Sequence, residues 1–307
     1  MNEKMENKKL RLDVTSSAFC RENGQENLEA CLEACHLYDF DFGIQIHNST
    51  AAEDLQKMVE YGVKLSAHAP LLSEYNINLA AESFELTKSI LEQNIRLFHE
   101  LGITEGVFHG FGMTDKPIPT FNRNRSYDDC MTDVFRTELS FDGKSRLCCD
   151  FTGTEEFKMR LLRVKSRLRY IREQYPDILL CIENDFPAYG SANMFPENAA
   201  KLEHPICLDT GHLWASSYLF DRDFHTDVMK FLELCEVRMV HLHASKYTSK
   251  IPKLEWSDGH LPLTIENQMD LPRFVSSCRK AKVNYFVLEV VKATAADIHA
   301  FAQMWNK

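Results

Sequence analysis

The feature that most constrains this chain is an alternation: short β-branched or aliphatic runs are separated, from Leu10 to the end, by amphipathic stretches of helical period. Strands repeat every two residues and helices every 3.6, so the pattern reads as successive β/α units around a parallel sheet. The strand runs are Leu10 to Thr15, Phe42 to His47, Val63 to His68, Gly106 to His109, Ile178 to Glu183, Ile206 to Asp209, Val237 to His243 and Tyr285 to Val290. Helices are expected at 49–61, capped by Ser49 and Thr50, at 82–101, closed by Gly102, and at 154–174, 196–203, 222–235, 271–281 and 295–305. Eight such strands in 307 residues fit one α/β domain, a single (β/α)8 TIM barrel over 10–307. An open doubly wound sheet is the other arrangement, but no GxGxxG follows the first strand.

One connection is out of proportion. Residues 112–152 form a polar insertion between the fourth strand and its helix, carrying Phe111 at its entry, then Lys116, Phe121, Arg123 and Arg125. Connections of this length are functional or unstructured, so the expectation divides between a lid over the barrel mouth and an insertion without a role. Segment 1–9, charged and without apolar anchors, is expected to be disordered.

Composition narrows the function classes. Hydrophobic residues at 44% and charged residues at 26% exclude a low-complexity chain. No apolar stretch reaches the ~18 to 20 residues of a bilayer span, and MNEKMENKKL lacks an apolar run, so no membrane partner and a cytoplasmic location are expected. The ten cysteines include no CxxC, and Cys181 and Cys207 lie in apolar runs as reduced, buried thiols would. With 35 basic against 45 acidic residues the net charge is −10, which weighs against an extended nucleic-acid surface.

Barrel strands alternate side chains between the interior and the helix layer, so parity assigns each polar residue a side. Ile178, Leu180 and Ile182 share one parity and Glu183 the other; Ile206 and Leu208 oppose Asp209; Phe286, Leu288 and Val290 oppose Glu289. The same rule puts His68, His109, His241 and His243 inside. All lie at the C-terminal ends of their strands, where barrel enzymes build their sites. Asp209-Thr-Gly-His212 and Asp258-Gly-His260 add further candidates in the loops. Carboxylates converging in a low-dielectric interior repel each other and require a cation among them. Histidine and carboxylate ligands without cysteine suit a divalent metal such as Zn, Mn or Co.

The segments SAHAP, VFHGF, IEND, LDTGH, VHLHASK, DGHLPL and VLEVV resemble, in order, those of the xylose isomerase-like TIM barrel superfamily, which includes sugar-phosphate isomerases and epimerases and endonuclease IV, of AP endonuclease family 2. By that resemblance, the endonuclease IV pattern of nine ligands for three zinc ions falls on His68, His109, Glu183, Asp209, His212, His241, Asp258, His260 and Glu289. The epimerase pattern, built around one divalent metal, falls on Glu183, Asp209, His241 and Glu289, with His212 near the substrate. His243 matches the H-x-H form of the isomerase-like members. The chain departs from endonuclease IV after His68, where Pro70-Leu71-Leu72-Ser73-Glu74-Tyr75 and extra residues precede Asn76-Ile77-Asn78. It departs from both branches after His260, where Leu263-Thr264-Ile265-Glu266-Asn267 replaces G-E-G.

Two enzymatic readings follow. The first is a metal-dependent isomerase or epimerase of a sugar or sugar phosphate, with Zn, Mn, Co or Mg holding adjacent substrate oxygens, Glu183 and Glu289 as paired acid and base, His212 assisting, and His243 and Lys246 as candidate substrate contacts. The second is a polynuclear zinc phosphodiesterase acting on abasic DNA or a small phosphate ester. Acidic charge and the altered loop after His68 place DNA second to a small sugar. A purely structural metal site comes third, because closed sites take four ligands and this set is larger.

Overall fold

The computed structural model describes residues 9–120 and 126–307. The expectation for segment 1–9, Lys9 apart, and the side chains of Phe121, Arg123 and Arg125 therefore lie outside the described residues. The strands are β1 (Arg11–Thr15), β2 (Asp41–Ile46), β3 (Lys64–Ala69), β4 (Glu105–Phe108), β5 (Leu179–Glu183), β6 (Ile206–Asp209), β7 (Val237–Leu242) and β8 (Tyr285–Leu288). They pair in chain order, all parallel, and β8 closes on β1. The helices are α1 (Gly24–Leu37), α2 (Ala52–Glu60), α3 (Glu85–Leu101), α4 (Tyr127–Thr132), α5 (Glu155–Gln174), α6 (Pro196–Ala199), α7 (Thr210–Leu219), α8 (Phe224–Leu234), α9 (Leu271–Lys280) and α10 (Ala295–Trp305). The expected single (β/α)8 barrel is the fold. Among the described residues no helix is long and apolar enough to cross a membrane.

The parity read from the sequence is the parity of the structure. Ile44, Ile46, Phe108, Ile182, Leu208, Val240, Leu242, Phe286 and Leu288, all fully buried, join the core between strands and helices. Val107, Cys181, Cys207, Met239, Tyr285 and Val287 form a separate cluster inside the barrel. Beneath it, Asp13 is fully buried and accepts hydrogen bonds from Ser66 Oγ at 2.6 Å, Tyr285 OH at 2.7 Å and Arg11 Nε at 2.8 Å. This satisfied polar plug leaves the other end of the barrel as the open one.

Differences from the expected elements have local causes. Strands β4 and β8 end at Phe108 and Leu288 and β7 at Leu242, so that His109, Glu289 and His243 stand just past the ladder, on the rim. The expected helix 196–203 is the short α6 followed by a 3-10 turn, Ala200–Leu202, ended by Glu203 in the left-handed region. Helix α7 was not foreseen because it is buried along most of its length, which leaves no polar stripe to mark its period. Gly102 closes α3 at φ 67°, as the sequence implies, and Thr154 caps α5, its side chain accepting from the Phe157 amide.

The described parts of the insertion, 112–120 and 126–152, form a docked layer: Ile118, Met131, Val134 and Leu147 pack with Phe186, Ala188, Tyr189, Leu219 and Trp256 from the rim. It also pins the loop after His68. The Asn76 amide donates to Ile118 O at 2.7 Å, the Thr120 amide to Glu74 O at 3.1 Å, and Asn78 Nδ2 to Thr114 O at 2.9 Å.

His204, 5% exposed at the entry to β6, donates from Nε2 to the Leu180 carbonyl at 2.7 Å. Burial lowers its pKa from 6.5 to about 4. The unfolded chain therefore takes up this proton first as pH falls. Stability is unaffected above 6.5 and is lost as pH drops from 6.5 toward about 4, with a slope of up to ~1.4 kcal/mol per pH unit for one proton. Urea unfolding across that window is expected to show a shallower acid loss for His204→Gln than for the native chain.

Candidate metal centre

The local sequence around Asp209 shows how the rim is built. Asp209 ends β6 and caps α7, its Oδ1 accepting from the His212 amide at 2.6 Å. The Thr210 hydroxyl donates to the His243 carbonyl at 3.0 Å and accepts from the His243 amide at 3.1 Å, tying α7 to the end of β7. Gly211 leaves space for the His243 ring, which would lie 2.1 Å from a β-carbon at that position. Each residue of Asp-Thr-Gly-His thus has a geometric task.

Glu183 is the hub. Fully buried at the end of β5, its Oε1 lies 2.8 Å from His241 Nδ1 and its Oε2 lies 3.1 Å from His68 Nε2 and 3.7 Å from His109 Nδ1. Glu289 Oε2 meets the same His241 Nδ1 at 3.1 Å, so one ring nitrogen faces two carboxylates. Glu183, Asp209, His241 and Glu289 can each offer one atom to a cluster whose members lie within 4.8 Å of one another. His68, His109 and Glu183 make a second such group, and His243, His260 and Glu289 a third.

Asp258 repeats the hub arrangement in the loop after β7. Its Oδ2 stands 2.9 Å from His212 Nε2 and 2.6 Å from His260 Nε2. The other nitrogens of those rings face carbonyls, His212 Nδ1 at 2.8 Å from Asn184 O and His260 Nδ1 at 3.0 Å from Glu289 O. A carbonyl only accepts, so both Nδ1 atoms carry hydrogen, and a neutral ring then turns a lone pair toward the carboxylate. That contact needs a second proton on the ring or a cation between the groups.

The donor set fits a divalent cation. Ligands bonded tetrahedrally at ~2.1 Å stand about 3.4 Å apart, close to the separations seen here. Asp209 Oδ2, His241 Nε2, His243 Nε2, Asp258 Oδ1 and Glu289 Oε2 are buried without a hydrogen-bond partner. Glu183, Asp209, Asp258 and Glu289 have only histidines as ion-pair partners among the described residues. Without metal, protons meet the negative field instead. Burial pushes His260 down, but Asp258 and Glu289 bring it up to about 10, and Asp185 and Glu183 bring His109 up to about 9 against the same burial. Burial would raise Glu183, yet the charges of His241 and His109 hold it well below the ordinary carboxylate range.

The cavity above these groups encloses about 400 Å³. His68, His109, His212, Asp258, His260 and Glu289 line it, whereas Glu183, Asp209, His241 and His243 lie one layer deeper. The structure thus gathers every sequence-derived candidate except Lys246, which is exposed, has its Nζ 5.6 Å from the Tyr247 ring centroid and does not reach the cavity. Three histidine, acidic or basic lining residues were not singled out from sequence. His47, its ring 5.6 Å from that of His68, is held down to about 3 by burial and His68, and it shares the inward parity of Gln45. Asp185 Oδ1 pairs closely with His109 Nδ1. Arg146 comes from the insertion.

Among solved structures, the chain is similar to a D-tagatose 3-epimerase-like protein at 16% identity and a TM-score of 0.57, with 96% of this chain and 98% of that one covered. It is similar to 3-keto-D-glucoside 4-epimerase from E. coli at 14% identity and a TM-score of 0.54, covering 97% of this chain and 100% of that one. A protein from Thermus thermophilus soaked with ZnCl2 matches at 16% identity and a TM-score of 0.53, over 96% and 97% of the two chains. No protein-family model and no curated protein sequence matches the chain. These likenesses show a shared fold, the (β/α)8 barrel that the strand pattern implies.

Gly211→Ala is expected to destabilise the fold by roughly 1–3 kcal/mol, because the His243 ring has to move, and to reduce metal uptake. Gly259→Ala, where the nearest atom is an ordinary 3.6 Å away, is the control. Denaturant unfolding and metal titration of the two variants make the comparison.

Proposed function

We propose that this protein is a divalent-metal-dependent isomerase or epimerase acting on a sugar or sugar phosphate. The observation that carries the reading is the buried Glu183, Asp209, His241 and Glu289 cluster beneath a cavity of about 400 Å³. That volume lies within the ~300–1,000 Å³ range of small-molecule sites. Two of the structural neighbours described above are an epimerase and an epimerase-like protein, which accords with this chemistry.

In this reading Glu183, Asp209, His241 and Glu289 hold the metal, which would be Zn, Mn, Co or Mg. When bound it supplies Lewis-acid polarisation of a substrate carbonyl and the neighbouring hydroxyl. Glu289 opens on the cavity and removes or returns the carbon-bound proton, with Glu183 as its acid/base partner from the layer below. His212 Nε2, fixed by the Asn184 carbonyl on its other side, presents a donor or acceptor to a substrate hydroxyl. His68, His109 and His260, also on the cavity wall, hold metal or hydrogen-bond the sugar, and the 112–152 layer serves as the lid.

A second reading, a polynuclear zinc phosphodiesterase, draws on one specific observation: Glu183 stands between His68 and His241, and Asp258 between His212 and His260, as ligands shared by two ions would. Against duplex DNA stand the net charge of −10 and the loop after His68, which is held against the insertion rather than projecting as a probe. A small phosphate ester remains compatible with this arrangement.

Metal content of protein purified without tag or chelator separates the readings. One Mn, Co, Mg or Zn per chain is expected, with epimerisation of a ketose or ketose phosphate and solvent deuterium appearing at the reacting carbon. Glu289→Gln is expected to lower kcat roughly 10²–10⁴-fold. Two or three zinc ions together with diester hydrolysis and no deuterium exchange would replace this reading by the second, and full activity of Glu289→Gln would defeat both.

A further inference from the structure

Among the described residues lining the cavity, Arg146 is the sole lysine or arginine. It is positioned by the insertion itself. The Tyr189 amide donates to the Arg146 carbonyl at 2.8 Å, Leu147 forms an antiparallel bridge with Ala188, and the Cys148 amide donates to Pro187 O at 2.9 Å. Just before it, Asp142 Oδ1 accepts from the amides of Lys144 at 2.9 Å and Ser145 at 2.6 Å, fixing the turn. Leu147, 1% exposed, anchors the segment in the apolar cluster shared with Phe186 and Trp256. The backbone at Arg146 is therefore built into the wall rather than hanging over it.

The guanidinium is only lightly engaged. Nη1 pairs with Asp128 Oδ1 at 2.7 Å and Nη2 lies 3.4 Å from the Trp256 carbonyl, while the Asp128 side chain is 57% exposed. An ion pair that open to water is weak and exchanges readily for a better partner. The Tyr189 hydroxyl also lies against this pair, donating to Asp128 Oδ1 at 2.7 Å, but the planar fork offers five donors, more than these partners take up, and suits two oxygens of one phosphate or carboxylate. Ser257, next to Trp256 on the same wall, adds a hydroxyl. The rest of the charged lining is histidine and carboxylate, and the lining histidines His109, His212 and His260 already face carboxylates of the site, Asp185 and Asp258.

We propose that Arg146 binds an oxyanion, phosphate or carboxylate, carried by the substrate away from its reacting carbon, so that the protein selects anionic sugars over neutral ones. The chemistry at that carbon rests on the isomerase reading above; the binding preference does not, and the test keeps the two apart.

The probes are 1,5-anhydroglucitol, its 6-phosphate and its 6-carboxylate, which lack a carbonyl and do not react, titrated calorimetrically into the metal-loaded full-length protein. The native chain is expected to bind one of the two anions at least ~10-fold tighter than the neutral compound, and which anion it is names the source. Arg146→Met is expected to abolish that preference and leave neutral affinity unchanged. Arg146→Lys is expected to retain part of it, and Asp128→Asn to strengthen anion binding by removing the competing carboxylate, an effect that a merely structural ion pair would not give. Should Arg146→Met fail to fold by circular dichroism, the Lys and Asp128→Asn variants decide. No anion preference in the native chain, or one that survives in Arg146→Met, overturns the inference. Absence of deuterium exchange into ketoses and ketose phosphates, with the Arg146-dependent preference intact, defeats the isomerase reading alone and leaves this one standing.

Discussion

Carboxylates that converge inside a barrel cannot be left as neighbours with nothing between them. Glu183, Asp209 and Glu289 are all nearly or fully inaccessible, and Asp258 shares a carboxylate oxygen between two imidazoles. Bringing such groups together in a low-dielectric interior costs several kcal/mol per uncompensated charge. The fold accepts that cost by surrounding them with histidines, the one side chain that can be either a neutral metal ligand or, without metal, a cation. The raised pKa values of His109 and His260 express the same requirement: positive charge has to be present, as protons or as metal. The polar plug at the other end shows the contrast, since Asp13 there is already hydrogen-bonded by Arg11, Ser66 and Tyr285 and needs no added ion.

What the barrel fixes is the floor of the site, and what the 112–152 segment shapes is its wall. The floor follows from strand geometry. Asp209 stands opposite His241 in the ladder, so these two neighbouring strands deliver their ligands side by side, while Glu183, opposite Cys207, enters two residues earlier in the register and on the same inward face. The wall follows from packing: apolar side chains of the insertion seal against Phe186, Tyr189 and Trp256, and its backbone holds the loop after His68. One ligand floor can serve proton transfer at carbon or attack at phosphorus, because both use charge stabilisation by metal.

Much of the floor was legible in the sequence because it obeys a two-residue period. Parity alone put Glu183, Asp209, His241 and Glu289 inside, and applied to β2 it also reaches His47, which shares the side of Gln45. Asp185 is harder, since it lies past the end of β5 where the period lapses, and only the contact with His109 reveals it. Lys246, expected as a substrate contact from its place after β7, is exposed and lies over Tyr247, outside the cavity lining, because strand parity gives no guide to a side chain beyond the strand end. Arg146 had no local signal, because its position depends on the bridge between Leu147 and Ala188, a pairing of segments far apart in the chain.

The division between floor and wall bears on how selectivity can arise. The ligand layer is crowded: Gly211 has no room for a β-carbon beside His243, and Thr210 is tied to the same residue from both its donor and acceptor sides. Change there disturbs the metal centre before it alters which molecule is admitted. The wall is under looser constraint, because its contact with the barrel is an apolar seal that tolerates substitution of similar volume, and Arg146, its one cavity-lining residue among those described, pairs with Asp128 rather than with a ligand. Discrimination between small molecules is therefore most readily set by the insertion, and a charge such as Arg146 can enter the cavity there without adding to the repulsions that the floor already has to balance.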